Sequence, residues 1–118
     1  MDRKYRLTSS IDFKRVRRTG KSYAHPLTIL VTAPNGKEIS RFGVTTGRTV
    51  GGSVVRNRTK RRMREALRKF LPQIEPGWDI ILIARSPLAE AEWTNLCESI
   101  AGLLRRAGIL GLSDDGKQ

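Results

Sequence analysis

The chain has 118 residues, enough for one domain with its own core and too few for two. It carries 23 lysines and arginines against 11 acidic residues, for a net charge of +12, and its single cysteine excludes an internal disulfide. No apolar run approaches the roughly 18 residues of a membrane span. The charged N-terminus is not followed by the apolar stretch of a secretory signal, so we expect a cytoplasmic protein.

The positive charge is concentrated in the first part of the chain. Residues 1–69 sum to +15, whereas residues 70–118 sum to −3. Because self-repulsion destabilises a compact fold, such an excess indicates a polyanionic partner, either a nucleic acid or an anionic membrane. The basic residues are spread over several predicted elements and not along one amphipathic helix, which favours a nucleic acid and no membrane contact.

The first predicted elements are a short helix and a hairpin. The helix covers residues 9–18, a serine at position 9 or 10 can cap it, and its apolar anchors to the core are Ile11, Phe13 and Val16. Residues 23–33 and 39–46 read as strands rich in β-branched residues. A Pro-Asn-Gly turn at 34–36 separates them, which predicts an antiparallel hairpin.

The clearest element is a helix that begins at a Ser53 cap and ends near Leu71, before Pro72. One face of this helix is apolar at helical spacing. That face consists of Val55, Thr59, Met63, Ala66, Leu67 and Phe70. The opposite face is basic and consists of Asn57, Arg61, Arg64 and Arg68, with Arg58 and Lys60 beside it.

Two elements complete the predicted fold. Residues 78–85 are apolar without alternation, which suits a strand covered on both faces, and residues 89–107 form a helix with an apolar stripe that includes Trp93 and Cys97. The order α-β-β-α-β-α predicts an α+β or α/β fold in which helices form a layer on a small sheet, and we favour the α+β class. We expect one domain over residues 1–110 and a flexible tail over residues 111–118.

Residues that could catalyse a reaction are hard to find. His25 is the only histidine, and its place before Pro26 predicts a turn or surface role. Cys97 lies on an apolar helix stripe, as a small core residue does. No Cys/His cluster has zinc-ligand spacing, and no glycine-rich phosphate motif precedes a helix. We therefore predict no catalytic residue, no metal ligand and no cofactor bound by the chain itself.

The basic helix remains as the candidate functional element. Residues 48–69 contain nine basic residues and one acid, Glu65, which can pair with Arg61 or Lys69. Arginine outnumbers lysine seven to two, and guanidinium groups bind phosphates bidentately and stack on bases. A merely solvated surface helix would need neither property, so the pattern favours RNA contact. Phe13, Arg17 and Tyr23 suit a single strand laid over a sheet, although Phe13 fits the core equally well.

Residues 56–65, Arg-Asn-Arg-Thr-Lys-Arg-Arg-Met-Arg-Glu, resemble the signature of the bacterial ribonuclease P protein family, Arg-Asn-Arg-x-Lys-Arg-x-x-Arg. The resemblance continues over nearly the whole chain. It includes residues 7–16 as the family's first helix, 41–44 as its second strand, 50–55 as the approach to the signature and 79–85 as the following strand. On composition and charge alone, a small ribosomal-type structural RNA-binding protein fits as well, and only the signature separates the two. A nuclease acting alone would need residues that the chain lacks.

The resemblance implies a compact α-β sandwich, like ribosomal protein S5 domain 2, in which the basic helix forms a left-handed βαβ crossover. It implies a subunit that is not itself the catalyst, because a large RNA cleaves precursor tRNA with magnesium. The protein would bind that RNA through the signature helix, and a cleft beside the first helix would take the single-stranded 5′ leader. No further protein partner is implied.

Carried over by position, the signature matches Arg56, Asn57, Arg58, Lys60, Arg61 and Arg64, and we add Arg48 and Arg68 from the same basic block. Phe13 matches an aromatic residue of the leader cleft. Two departures from the family pattern concern the leader. Arg17 stands where the family often has a second aromatic residue, and Gly47-Arg48-Thr49 stands in place of Ser-Lys-Lys.

Overall fold

The computed structural model describes residues 3–111, which form a four-stranded sheet and three α-helices. In chain order the elements are α1 (Ser10–Thr19), β1 (Lys21–Ala24), β2 (Thr28–Pro34), β3 (Arg41–Thr46), α2 (Ser53–Arg68), β4 (Trp78–Ala84) and α3 (Trp93–Arg106). No helix in this part of the chain has the length and apolar character needed to cross a bilayer. Apart from its first residue, the predicted tail lies outside the described residues.

The sheet has the strand order β1-β2-β4-β3. β4 is antiparallel to β2 and parallel to β3, so it separates the two strands that the Pro-Asn-Gly turn was expected to join. The predicted hairpin between residues 23–33 and 39–46 is therefore wrong. The physical reason lies in β4, whose central residues 80–83 are all apolar and lose most water-exposed area at the centre of the sheet.

The true hairpin lies within the first predicted strand. Residues 21–34 divide into β1 and β2, which pair antiparallel. Pro26 cannot donate to a strand ladder, so the chain turns there. His25 shapes this turn, because its Nδ1 accepts a hydrogen bond from the Leu27 backbone N–H at 3.0 Å. The turn role expected for His25 is confirmed.

The α+β class is confirmed, with one more strand than the sequence predicted. β3 and β4 are parallel neighbours joined through α2, which is the βαβ crossover that the family resemblance implies. The left hand of that crossover stays a prediction of the resemblance. α2 and α3 pack on one face of the sheet, whereas α1 packs on the other.

Two apolar clusters hold these layers together. The larger lies under α2 and α3 and includes Met63, Ile80, Leu82 and Ile100. The smaller lies under α1 and includes Val16 and Ile81, together with Val31 from β2. Alternate residues of β4 thus face opposite clusters, which confirms the prediction of a strand covered on both faces.

α1 is anchored differently from the prediction. Val16 is fully buried and Phe13 is half-buried against the smaller cluster, but Ile11 is 76% exposed. On a helix, position 11 lies about 140° from position 16, so both cannot face the sheet. The expected anchoring by Ile11 is therefore wrong. The ring of Phe13 lies over Gly43 of β3, where a Cβ atom would overlap it.

The helix faces follow the sequence more closely than the helix ends do. Within α2 the predicted apolar face is confirmed, with Thr59, Met63, Ala66 and Leu67 buried, but the helix ends at Arg68 and not near Leu71, so Phe70 lies beyond it. Ser53, however, is the first helical residue, and Gly52 occupies the cap without a side-chain hydrogen bond. Residues 86–90 form a separate 3-10 turn, so α3 begins at Trp93 and not at residue 89. Trp93 is 40% exposed and lies outside both clusters, so its assignment to the apolar stripe is wrong.

Candidate nucleic-acid interface

The polar face of α2 presents the predicted RNA-binding side chains outward. On this helix Arg56 and Lys60 are half-buried, and the exposed members of the predicted set are Asn57, Arg58, Arg61, Arg64 and Arg68. Arg48 is exposed on the 3-10 turn that precedes α2. Because the buried face of α2 fixes its rotation, Asn57, Arg61, Arg64 and Arg68 lie together on the outward face.

Few counter-charges neutralise this surface. The one acid of the helix, Glu65, pairs with Arg68 at 3.4 Å, and both side chains are well exposed. The pairing of Glu65 with Arg61 or Lys69 that the sequence suggested is therefore wrong, because the three-residue spacing to Arg68 is the one the side chains use. Among the described residues, Arg61 and Arg64 form no ion pair, so their guanidinium groups are available to an anionic partner.

Arg62 has a different role from its neighbours. Its Nη2 donates a hydrogen bond to the carbonyl oxygen of Ala91 at 2.6 Å, and Nη1 donates to that of Ala89 at 3.4 Å. The side chain thus ties α2 to the segment that leads into α3. Its position in the basic run gave no sign of this role, because the two carbonyl groups lie 27 and 29 residues away in sequence.

A small hollow of about 80 Å³ joins the two parts of the predicted site. It lies at the outer edge of β3, where the Leu7 N–H donates to the Phe42 carbonyl oxygen at 2.8 Å. The hollow brings Phe13 of α1 and Arg64 of α2 to one opening, with Arg6 beside them. A single strand of nucleic acid lying across this edge of the sheet would contact both α1 and α2.

Arg17 is exposed and lies one turn after Phe13, so both side chains project from the same side of α1, where Phe13 packs against the sheet. That face is only partly covered, since Ile29 and Ile83 beyond the smaller cluster are half-buried. A partly covered apolar strip next to an aromatic ring and an exposed cation suits bases that are not paired with another strand.

A buried ionic cluster attaches α1 to the sheet, and sequence reasoning missed it. Asp79 of β4 has a fully buried side chain, and Arg41 donates hydrogen bonds to both of its oxygens at 2.9 and 2.7 Å. Asn35 donates to Asp79 at 3.0 Å, and Arg15 of α1 donates to it as well. Asp12 accepts from Arg15 and from Arg41 at 3.4 Å each. The cluster thereby sets the position of Phe13 and Arg17.

The cluster also changes the acidity of its central group. Burial raises the pKa of Asp79, but the hydrogen bonds from Arg41, Asn35 and Arg15 outweigh burial, so that its pKa lies below the ordinary value. The hydrogen bond to Asp79 in turn raises the pKa of Arg41. Both groups are thus charged at neutral pH. Within residues 3–111 no group of His, Cys, Asp and Glu side chains is arranged to hold a metal ion.

Comparison with known proteins identifies the family. The family model described as Ribonuclease P matches residues 1–108. The chain is 47% identical over 118 residues to the ribonuclease P protein component of Roseiflexus sp. (strain RS-1), covering 99% of this chain and 97% of the relative. It is 41% identical over 109 residues to that of Herpetosiphon aurantiacus, covering 92% and 89%.

Solved structures agree with the sequence relatives. The RNase P protein of Staphylococcus aureus superposes with a TM-score of 0.81 at 29% identity, covering 91% of this chain and 98% of that one. The RNase P protein from Thermotoga maritima gives a TM-score of 0.77 at 30% identity, covering 86% and 96%. Together with the family model, which spans most of the chain, these matches favour the ribonuclease P family over a small ribosomal-type structural RNA-binding protein. The chain belongs to the ribonuclease P protein family and is a protein subunit of ribonuclease P, the holoenzyme that acts in tRNA processing.

Proposed function

We propose that this subunit binds the catalytic RNA of ribonuclease P through the polar face of α2 and the 5′ leader of precursor tRNA beside α1. The observation that carries the proposal is the α2 surface itself. Arg58, Arg61, Arg64 and Arg68 are exposed, and the one glutamate of the helix is paired with Arg68. Guanidinium groups in this state bind phosphate with little competition from the protein.

The leader side of the proposal rests on the partly covered sheet face. Phe13 lies against this face, and the half-buried Ile29 and Ile83 continue it beyond α1. Single-stranded RNA is recognised by aromatic and arginine stacking on splayed bases, which this surface offers and a regular duplex could not use. The hollow that Phe13 shares with Arg64 gives the two RNA surfaces a common border.

Catalysis is assigned to the RNA partner. In this proposal the RNA cleaves the phosphodiester with magnesium, and the protein contributes binding and charge neutralisation in the cytoplasm without a further protein partner. Screening of closely spaced phosphates by a basic protein reduces the need for magnesium, because both neutralise the same charge.

The test is reconstitution with a bacterial ribonuclease P RNA. At a magnesium concentration too low for the RNA alone, added protein is expected to restore removal of the 5′ leader from precursor tRNA. An equal molar charge of polylysine serves as the control, since it neutralises phosphates without a defined surface. Cleavage equal to that with polylysine, or cleavage by the protein without the RNA, would contradict the proposal.

A second prediction concerns Arg17, the residue that departs from the family pattern. Arg17→Ala is expected to weaken binding of precursor tRNA to the holoenzyme and to leave mature tRNA, which has no leader, unaffected. The reason is that a guanidinium at this position can stack on a base and hold a phosphate, and stacking contributes about 1–3 kcal/mol per base. Equilibrium binding of the two tRNAs at fixed salt measures the difference.

Arg17→Phe separates stacking from charge. Phenylalanine is expected to restore much of the precursor affinity with a shallower salt dependence, because it stacks without releasing counterions. The matched control is Arg18→Ala, which removes the neighbouring exposed charge on α1. Position 18 lies about 140° around the helix from position 13, so Arg18 points away from the Phe13 side. Equal effects of Arg17→Ala on both tRNAs, or none on either, would remove Arg17 from the leader surface.

A further inference from the structure

A second basic pocket lies on the other side of the α2 polar face, where α2 meets the start of α3. Its volume is about 440 Å³, and it is lined by Arg61, Arg62, Arg64, Glu65, Arg68 and Trp93. Four arginines and one glutamate give the pocket a strongly positive lining. Arg64 also lines the hollow with Phe13, so the pocket continues the α2 surface away from the leader side.

Trp93 is the unusual member of this lining. It is 40% exposed at the first position of α3 and contributes to neither apolar cluster, so packing of the core does not account for an indole here. The Lys69 ammonium group lies over the indole ring, 5.8 Å from the ring centroid, which is close to the roughly 6 Å limit of a cation–π contact. An exposed contact of that length is weak and easily displaced.

The walls of the pocket are partly fixed before any ligand binds. Arg62 is tied to the carbonyl oxygen of Ala91 at 2.6 Å, two residues before Trp93. This bond fixes the start of α3 against α2 and thereby holds the indole beside the arginines. Glu65 faces Arg68 at 3.4 Å and neutralises one of the four cations, which leaves Arg61 and Arg64 for an anion.

We propose that this pocket binds an unpaired nucleotide of the catalytic RNA, with the base stacked on the Trp93 indole and its phosphates held by Arg61 and Arg64. A flat aromatic surface beside guanidinium groups is the chemistry that recognises a base displaced from its stack together with its phosphates. Lys69, once displaced from the ring by the base, adds a third cation. This inference rests on the proposed function, since Arg61 and Arg64 also belong to the α2 surface assigned to the catalytic RNA.

The experiment uses the tryptophan as its own reporter. Trp78, the other tryptophan of the chain, is replaced by phenylalanine, so that fluorescence comes from Trp93 alone. Titration of the full chain with ribonuclease P RNA is expected to quench this fluorescence, because a stacked base quenches an indole. In parallel, Trp93→Leu is expected to weaken RNA affinity roughly tenfold with an unchanged salt slope, whereas Trp93→Phe keeps most of the affinity.

Tyr5→Leu is the matched control, because Tyr5 also underlies a cation, the Lys4 ammonium group at 5.1 Å, but lies on the 3-10 turn before α1 and does not line the pocket. It should leave RNA affinity unchanged, and thermal melting of each variant checks the fold. If the RNA binds but Trp93 is not quenched and Trp93→Leu binds normally, the pocket inference is wrong and the proposed function stands. If the wild-type chain fails to bind ribonuclease P RNA at all, both fail together.

Discussion

Replacing Arg61 and Arg64 together by alanine is expected to lower affinity for ribonuclease P RNA about a hundredfold while the protein stays folded. Each charge-assisted hydrogen bond to phosphate contributes about 1.5–3 kcal/mol, and the low end applies because both guanidinium groups are exposed to solvent. Losing two such contacts costs about 3 kcal/mol of binding free energy, which corresponds to about a hundredfold in affinity. Neither side chain supports the fold, and surface substitutions of this kind change the unfolding free energy by about half a kcal/mol at most. Filter binding and thermal melting measure the two quantities.

Salt dependence tests whether the lost contacts are phosphate contacts. For the wild-type chain, about six cations on α2 predict a slope of log affinity against log salt on the order of −4 to −5. The double variant should have a slope shallower by roughly 1.5, since each phosphate contact contributes about 0.7 with single-stranded segments. A wild-type slope near zero would exclude the electrostatic interpretation.

Two control variants separate the possible causes of a loss. Lys37→Ala with Arg105→Ala removes the same number of charges from exposed positions outside α2, so it should retain nearly full affinity. Met63→Asp places a carboxylate at a fully buried position on the opposite face of α2 and is expected to destabilise the fold by several kcal/mol. If the arginine variant melted like Met63→Asp, the assignment of the two helix faces would be wrong.

The success of the α2 prediction has a local cause. Over 16 residues, the apolar positions recur at helical spacing and the cations fill the opposite face, so the rotation of the helix follows from the chain alone. α1 has only 10 residues and three apolar candidates, and its rotation is set by contacts with the sheet. The exposed Ile11 shows that so short a pattern does not determine which face is buried.

Features that depend on residues far apart in the chain could not be predicted from the sequence pattern. β2 and β3 are separated by a turn motif, but β4 lies between them because its apolar residues are most stable at the centre of the sheet. The ionic cluster likewise combines Asp12, Arg15, Asn35, Arg41 and Asp79, which come from three strands or turns and one helix. The one local sign of the cluster was Asp79 at the start of the apolar strand β4, because a buried carboxylate needs hydrogen-bond or charged partners.

Asp79→Asn is expected to destabilise the protein by about 3 kcal/mol at neutral pH. Breaking a buried ion pair costs about 3–5 kcal/mol, and the low end applies because Arg15 and Arg41 reach solvent. The pKa of Asp79 is lowered in the fold, so its contribution is complete above the unfolded value of about 3.9 and is lost as pH falls toward the folded value. Urea unfolding should therefore show a difference between wild type and variant that shrinks below about pH 4.

Asp12→Asn is the matched control, since Asp12 belongs to the same cluster but is partly exposed and makes only 3.4 Å contacts. Its effect should stay within about 1 kcal/mol, as for exposed ion pairs. Because the Arg15–Asp79 bond joins α1 to β4, Asp79→Asn should also loosen α1 and move Phe13 and Arg17 from the leader surface. The holoenzyme with this variant is then expected to lose affinity for precursor tRNA and to keep its affinity for mature tRNA. A uniform loss for both tRNAs would instead mean that the cluster supports the whole fold, α2 included.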